Sequence, residues 1–554
     1  MESEISRRNF VAGAAAAAGV AAVAGASMAK ADEAAPAAAD GAWWLPEAWD
    51  EETDIVIVGY GAAGVSAAVT AAEQGIPAIV LEKSTIEDGG NFGSSSGMVH
   101  DAFVVKDWDE FKGKVKRLSF NCLPDPSIVD VLLDNEAQMY DWLTTDLGLS
   151  FYETPRTPTD LHPDSTTLIF KDENGMPGSG QIFFRAMSKI AKEKGADVRL
   201  NSRLTDLIQN PQTKEILGVA YTATDGSDTA THYIKANKAV ILCMGGYEGN
   251  AYLQATYNHP GIWVRPNGTP NNTGDGIPIC IKHGAAMWHF PGFEWSTPDH
   301  RLLSDKYGVG APLPCYPDET HGEYIWVNDA GQRFISEEHQ VTHDMSNKVW
   351  LEYNSKLNKY TNMPYWIVFD QTFFDNVNLF QGSVMHGFFE SYCETQSIIP
   401  HFTNQELLEQ GFMFKGETIE ELAAAAMGTN TAGETVSIDP KGLAATVKAW
   451  NAYVDGDDDQ FDASFKRNWA KGKIETGPFY AIELTPGALN TQGGPQHDGW
   501  SRTLDTDGNV IPRLYNCGEF GSISDTIYIQ GNITEALTTG RFSVLDAATL
   551  EPQA

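Results

Sequence analysis

The sequence predicts an α/β protein in which an α+β segment interrupts a parallel-sheet domain. Three observations carry that prediction. The chain has 554 residues, more than one ordinary compact core holds, so two domains are expected. A continuous β-branched run, Asp54-Ile55-Val56-Ile57-Val58, reads as a buried parallel strand that feeds into Gly59-Tyr60-Gly61-Ala62-Ala63-Gly64 and an Ala-rich helix over residues 65–74. A middle segment has strand signals of its own at residues 323–328 and 365–369, and a helix near residues 443–453.

The first of these elements specifies chemistry. In a strand–glycine–helix unit the first glycine makes the tight turn, the second lets backbone approach a pyrophosphate, and the third lets helix pack on strand. The helix N-terminus then faces the phosphate charge. A second strand, Ala78-Ile79-Val80-Leu81, ends at Glu82, where a carboxylate can accept the ribose hydroxyls of an adenosine half. A glycine loop made only for packing leaves Glu82 unexplained. Gly59, Gly61, Ala63, Gly64 and Glu82 are therefore candidate dinucleotide contacts.

The formal charge of −36 argues against nucleic acid as a partner, since binding phosphate chains relies on clustered Lys and Arg; solubility is the simpler reading of the acidity. Ser6-Arg7-Arg8-Asn9-Phe10-Val11 precedes a mild Ala-rich run, and Ala29-Lys30-Ala31 offers a small-x-small cleavage site. Residues 1–31 thus read as a twin-arginine signal and residues 32–45 as a linker. Export of a folded, cofactor-loaded protein to the periplasm or another extracytoplasmic site is expected. An uncleaved anchor is the rival, but the run is Ala-dominated and barely long enough to span a bilayer, and no integral membrane segment is expected after signal removal. Six cysteines occur without C-x-x-C spacing, so no metal site is expected; buried apolar Cys is the simpler reading, with disulfides left open and unpaired.

Further along, Glu82-Lys83 is followed by Gly89-Gly90-Asn91-Phe92-Gly93-Ser94-Ser95-Ser96-Gly97. Ala239-Val240-Ile241-Leu242-Cys243-Met244-Gly245-Gly246 ends in a glycine pair, Thr273-Gly274-Asp275-Gly276 forms a polar loop, and Leu514-Tyr515-Asn516-Cys517-Gly518-Glu519 ends in an acid. Taken together, these segments resemble the flavoprotein family that contains fumarate reductase flavoprotein subunits, soluble flavocytochromes and 3-ketosteroid dehydrogenases. The resemblance implies a discontinuous, Rossmann-like FAD-binding domain over residues 46–295 and 478–554, with an inserted α+β capping domain over residues 296–477. It adds Lys83, Gly90, Asn91, Ser96, Gly97, Gly245, Asp275, Gly518, Glu519 and Ile533 as cofactor contacts. Residues 92–96 lack the His to which related membrane enzymes attach flavin, so non-covalent FAD is expected. Val327-Asn328-Asp329-Ala330-Gly331-Gln332-Arg333-Phe334 resembles a turn of the family's cap. An Asp cluster at positions 455 and 457–459 is rejected as a calcium loop, because Gln460 and Lys466 stand where a glycine and an acid are required.

Reducing a polarised C=C needs a hydride, a proton donor and something to hold developing negative charge. Fumarate reductases hold two carboxylates with an Arg and a His; this chain has Tyr528-Ile529-Gln530-Gly531-Asn532 and Asn490-Thr491-Gln492-Gly493-Gly494 at those places. A dicarboxylate would be poorly compensated, so fumarate is not the expected substrate. Tyr528 with the Asn532 N–H instead resembles the carbonyl-polarising pair of ketosteroid dehydrogenases; a packed aromatic is the alternative. For the proton, His343 follows the Arg333 turn about two residues late, with His339 equally close and a surface role open to either. Arg333 is a catalytic candidate that reads better as a brace of the cap turn, and Glu337 and Glu338 are expected to face solvent, with an inward proton relay as the alternative.

The expected function is an exported flavin-dependent reductase that moves a hydride from FAD N5 to an activated C=C of a small enone or aryl-acrylate. Desaturation of a ring ketone is the alternative, and a non-catalytic electron-transfer subunit the third. No C-x-x-C-H haem-attachment motif occurs in the sequence, so a separate cytochrome or quinol-linked protein is the expected electron donor.

Overall fold

Valine and isoleucine fill strand β1 (Glu51–Val58), whose Ile55, Val56 and Ile57 are fully buried because a parallel strand is covered on both faces. The computed structural model describes residues 44–553 except 100–102, 120–121, 157–163, 226–227, 259–263, 295–296, 314–320, 338–348, 380–398, 457–465, 468–470 and 526–530. In it β1 lies inside an eight-stranded sheet. It pairs in parallel with β2 (Ala78–Leu81), which pairs in parallel with β3 (Asp197–Arg199). Strands β4 (Ser202–Gln209) and β5 (Ile216–Asp225) form a hairpin against the first half of β6 (Asp228–Leu242), whose second half runs parallel to β1. Helix α1 (Ala62–Gln74) crosses between β1 and β2 and stops at Gly75, which takes the left-handed conformation at φ 64°.

The chain then leaves this sheet and builds another. Strands β7 (Thr297–His300), β8 (Tyr324–Asn328), β9 (Tyr365–Phe369), β10 (Phe414–Gly416) and β11 (Phe479–Gly487) form an antiparallel sheet in the order β7-β11-β9-β8, with β10 also on β11. Every residue of β8 and β9 is buried, yet alternate side chains enter different clusters. Ile325, Val327, Trp366 and Val368 pack with Leu443, Val447 and Trp450 of helix α2 (Pro440–Val454), while Tyr324, Trp326, Tyr365 and Ile367 face the opposite side. The sheet is thus covered on both faces. β11 follows residue 478, where the sequence boundary returns to the FAD-binding part, and it pairs along β9 and β7 of this second sheet.

Strands β12 (Arg502–Leu504) and β13 (Val510–Asn516) bring the chain back, with β13 parallel to β6, so the first sheet reads β12-β13-β6-β1-β2-β3. Helix α3 (Asn532–Ala548) lies directly on α1. A Cβ at Gly540 would sit 2.2 Å from the Ala63 carbonyl oxygen, and the Ser66 hydroxyl donates to the Leu537 carbonyl at 2.6 Å. The C-terminal ends of β1, β2, β6 and β13 consequently open on one edge, where parallel sheets bind ligands. Among the described residues no helix is long and apolar enough to cross a membrane.

Candidate functional site

A cavity of about 390 Å³ occupies that edge. The sheet places Gly59 after β1, Glu82 after β2, Gly245 after β6, and Gly518 and Glu519 after β13, so four strand ends contribute to one wall. Of the residues singled out above, Gly61, Ala63, Lys83, Gly90, Asn91, Ser96, Asp275, Asn532 and Ile533 also line it. Gly64 and Gly97 lie just behind the wall, where neither position has room for a side chain. A Cβ at Gly64 would be 2.0 Å from the Gly59 carbonyl oxygen, and one at Gly97, whose φ is 71°, would be 2.6 Å from the Gly180 nitrogen.

The glycine turn passes a direct test of fit. Gly59, at φ 97°, leaves no space for a Cβ, which would meet the Cys243 carbonyl oxygen at 2.1 Å. Gly61 is different, since its Cβ would meet only the Gly89 carbonyl oxygen, at 3.5 Å. It borders the cavity at the N-terminus of α1, which is the close backbone approach that a pyrophosphate requires.

Glu82 is oriented by backbone. Its Oε2 accepts the Tyr60 N–H at 2.8 Å and its Oε1 the Ser84 N–H at 2.7 Å, which orients the carboxylate and leaves lone pairs for ribose hydroxyls. Burial pushes its pKa up. Lys83 Nζ donates to Thr273 Oγ1 at 2.7 Å and Asp275 Oδ2 at 2.9 Å, and Arg203 reaches Asp275 Oδ1 at 2.8 Å. Burial alone would raise the Asp275 carboxyl, but Lys83, Thr273 and Arg203 outweigh it and hold it below its usual range.

A buried polar cluster reaches the cavity wall through Asn91, Asn272 and Glu519. Asn91 Nδ2 donates to Glu248 Oε1 at 2.8 Å and Glu519 Oε1 at 2.9 Å; Asn272 Nδ2 donates to the same two carboxyls at 2.8 and 3.1 Å. Thr491 Oγ1 donates to Glu248 Oε2 at 3.1 Å. Burial raises both acids, and the charge of Glu248 raises Glu519 further, so this pair retains a proton that isolated carboxylates would lose. Sequence reasoning found Asn91 and Glu519 but missed Glu248 and Asn272. The available signal for Glu248 was an acid just beyond the Gly245-Gly246 pair, as Glu519 follows Gly518.

Of the described substrate-side candidates, Asn532 lines the cavity and Arg333 does not. Tyr528, His343 and His339 lie outside the described residues. Arg333 is 8% exposed and does not line the cavity; Nε donates to Glu337 Oε1 at 2.9 Å, a second nitrogen meets Oε2, and the guanidinium lies 4.8 Å over the Trp450 ring. The expectation that Glu337 faces solvent is corrected: it is fully buried, with Arg467 on its other side at 3.7 Å. Burial would raise Glu337, but Arg333 and Arg467 outweigh it and hold it ionised. Asn490 lines the cavity and accepts a hydrogen bond from Gln492 Nε2 at 2.8 Å.

A family model described as an FAD binding domain matches residues 54–533. The chain belongs to that family. FAD is accordingly its cofactor, and Gly61, Glu82 and the carboxyl cluster offer this FAD-binding chain the donors and acceptors that such a dinucleotide needs. It is 27% identical to a 3-oxosteroid 1-dehydrogenase of Mycolicibacterium smegmatis over 90% of this chain and 97% of that enzyme. It is 26% identical to a probable fumarate reductase of Shewanella frigidimarina over 90% of this chain and 75% of that protein. Its fold matches the crystal structure of 3-ketosteroid Δ1-dehydrogenase from Sterolibacterium denitrificans with a TM-score of 0.69 at 21% identity, over 90% of this chain and 99% of that one.

Proposed function

We propose that this FAD-dependent oxidoreductase, which acts on a CH–CH bond of a small organic substrate, exchanges hydride beside a ring carbonyl, with desaturation as its working direction. The observation that carries the reading is Asn490 in the cavity wall, a neutral amide that accepts a hydrogen bond from the buried Gln492. Amides can bond an uncharged carbonyl but leave a dicarboxylate without a counter-charge at those positions. Sequence reasoning placed saturation first. The likeness to a 3-oxosteroid 1-dehydrogenase, running along nearly the whole of that enzyme, moves desaturation ahead.

When bound, FAD supplies two-electron hydride exchange; the chain supplies the rest. Gly59, Gly61, Ala63, Glu82, Gly518 and Glu519 are the proposed cradle, held non-covalently. Tyr528 and the Asn532 N–H are proposed to polarise the carbonyl, and His343 to carry the proton. Arg333 is proposed to hold the cap turn, as the sequence reading preferred, because Glu337 occupies its guanidinium. Saturation of an enone is the second reading, favoured by the probable fumarate reductase among the relatives. In that direction electrons come from an external cytochrome or quinol-linked protein, and export by residues 1–31 places the exchange outside the cytoplasm.

Anaerobic stopped-flow tests the choice. Oxidised protein mixed with saturated ring ketones is expected to lose its flavin absorbance, and an artificial acceptor to sustain turnover. Reoxidation of reduced protein by enones, without bleaching by any ketone, would establish the second reading and sink the first. Tyr528→Phe is expected to lower the rate roughly a hundred- to a thousandfold at unchanged flavin content; an unaltered rate would remove the phenol from the mechanism.

A further inference from the structure

The mechanism leaves unused two thiols that the sheet brings together. Cys243 follows β6 and Cys517 follows β13, and the parallel register runs Leu514 to Val240, Tyr515 to Ile241 and Asn516 to Leu242, so the next pair is Cys517 with Cys243. The ladder continues through both positions: the Cys517 N–H donates to the Leu242 carbonyl at 2.9 Å and the Cys243 N–H to the Val58 carbonyl at 2.7 Å. Both side chains join one core cluster with Ile241 and Tyr515, which places them on the same face. They are free thiols; the Cys517 thiol donates to the Thr539 carbonyl at 3.5 Å, and Cys243 has Cys517 as its thiol neighbour. Paired strands lie about 4.8 Å apart, inside the Cα separation of about 4.4–6.8 Å that a disulfide spans. Both residues line the dinucleotide cavity, although Cys243 is only 7% and Cys517 only 1% exposed.

We propose that Cys243 and Cys517 form a two-electron redox pair on the floor of the FAD cavity, closing to a disulfide in the flavin-free protein and shielded when FAD lies over them. Two S–H bonds break and one S–S bond forms. Two electrons and two protons pass to a small thiol oxidant, whose disulfide becomes two thiols or whose diazene N=N becomes a hydrazine. The phosphate turn rests on Cys243, since a Cβ at Gly59 would lie 2.1 Å from the Cys243 carbonyl and one at Gly64 3.7 Å from its Cβ. Drawing Cys243 toward Cys517 therefore moves the support of the turn and weakens FAD binding. The neighbouring Cys517 thiol and then burial raise the Cys243 pKa, so little Cys243 thiolate forms and exchange is slow until the cavity is open.

This inference rests on the FAD cavity assigned above, and the test separates the two. Full-length protein is treated with diamide as isolated, after flavin removal, and after reloading across a range of FAD concentrations, and the Cys243–Cys517 link is quantified by peptide mass spectrometry. The link is expected in most flavin-free chains, at least tenfold more slowly at saturating FAD, and not in Cys517→Ser. Oxidised flavin-free protein is expected to bind FAD at least tenfold more weakly, with recovery in dithiothreitol. Reduced flavin-free protein that refuses FAD would sink the cavity assignment and the shielding with it. Protein that rebinds FAD yet never forms the link, or forms it equally fast at saturating FAD, overturns the redox pair alone.

Discussion

Glu535 illustrates how one side chain in the FAD-binding half couples folding to pH. It is fully buried, accepts from Ser522 Oγ at 2.7 Å and the Ile523 N–H at 2.9 Å, and is pushed up to about 7 by burial. Because the folded state holds this proton more tightly than the unfolded state, its contribution is complete below the ordinary Glu range near 4.5 and is lost as pH rises through about 7. Thermal unfolding of Glu535→Gln between pH 4.5 and 8 should therefore fall less steeply with pH than the parent, by up to about 3 kcal/mol across the window. Parallel curves would exclude a proton on Glu535. Gly64 is a second residue with a sharp outcome. A methyl group there meets the Gly59 carbonyl oxygen at 2.0 Å, which is backbone and cannot swing aside. Gly64→Ala is expected to cost about 1–3 kcal/mol of stability and to purify with little bound flavin; normal flavin content would show that the turn tolerates the shift.

At the scale of elements, the cap is held by a buried ion group rather than by apolar packing alone. Glu337 follows β8 and lies between Arg333 and Arg467, whose guanidinium stacks 4.5 Å over the Trp450 ring of α2. Removing the single anion leaves two buried cations, so Glu337→Leu is expected to lose about 3–5 kcal/mol, measured by denaturant unfolding. A change below about 1 kcal/mol would mean that carbonyls alone satisfy the arginines. The solvent-facing expectation for Glu337 failed because an acid after a turn carries no local mark of burial; Arg333 is close in sequence, but Arg467 and the Trp450 ring that both arginines stack on arrive more than a hundred residues downstream. By contrast β1, the glycine turn and α1 were legible, since strand period, turn chemistry and helix composition all lie within about two dozen consecutive residues. Asn91, Glu248 and Glu519 mark the boundary between the two cases. Their hydrogen bonds join positions 157 and 428 residues apart, and only the sheet order brings them together.

For the whole molecule, a ligand spanning four strand ends and α3 should stabilise the fold by mass action. Thermal unfolding at FAD concentrations near a hundred times Kd is expected to gain about 2.7 kcal/mol over flavin-free protein; a midpoint that ignores FAD would mean that the folded chain does not bind it in preference to the unfolded one. The chain's path also sets how the cavity is built. It leaves the first sheet after β6, makes a covered antiparallel sheet, and returns with β13 beside β6, so the last acid of the wall, Glu519, arrives only after the cap is complete. By itself the sequence determined the α/β class, the dinucleotide turn and the acid at Glu82, because each is written in short-range pattern. Tertiary structure alone decided that Glu248 joins Glu519 around the buried amides of Asn91 and Asn272, that Arg333 is engaged by Glu337, and that two distant cysteines face one another. Those outcomes depend on low-dielectric burial and strand register, which arise only when remote segments are packed side by side.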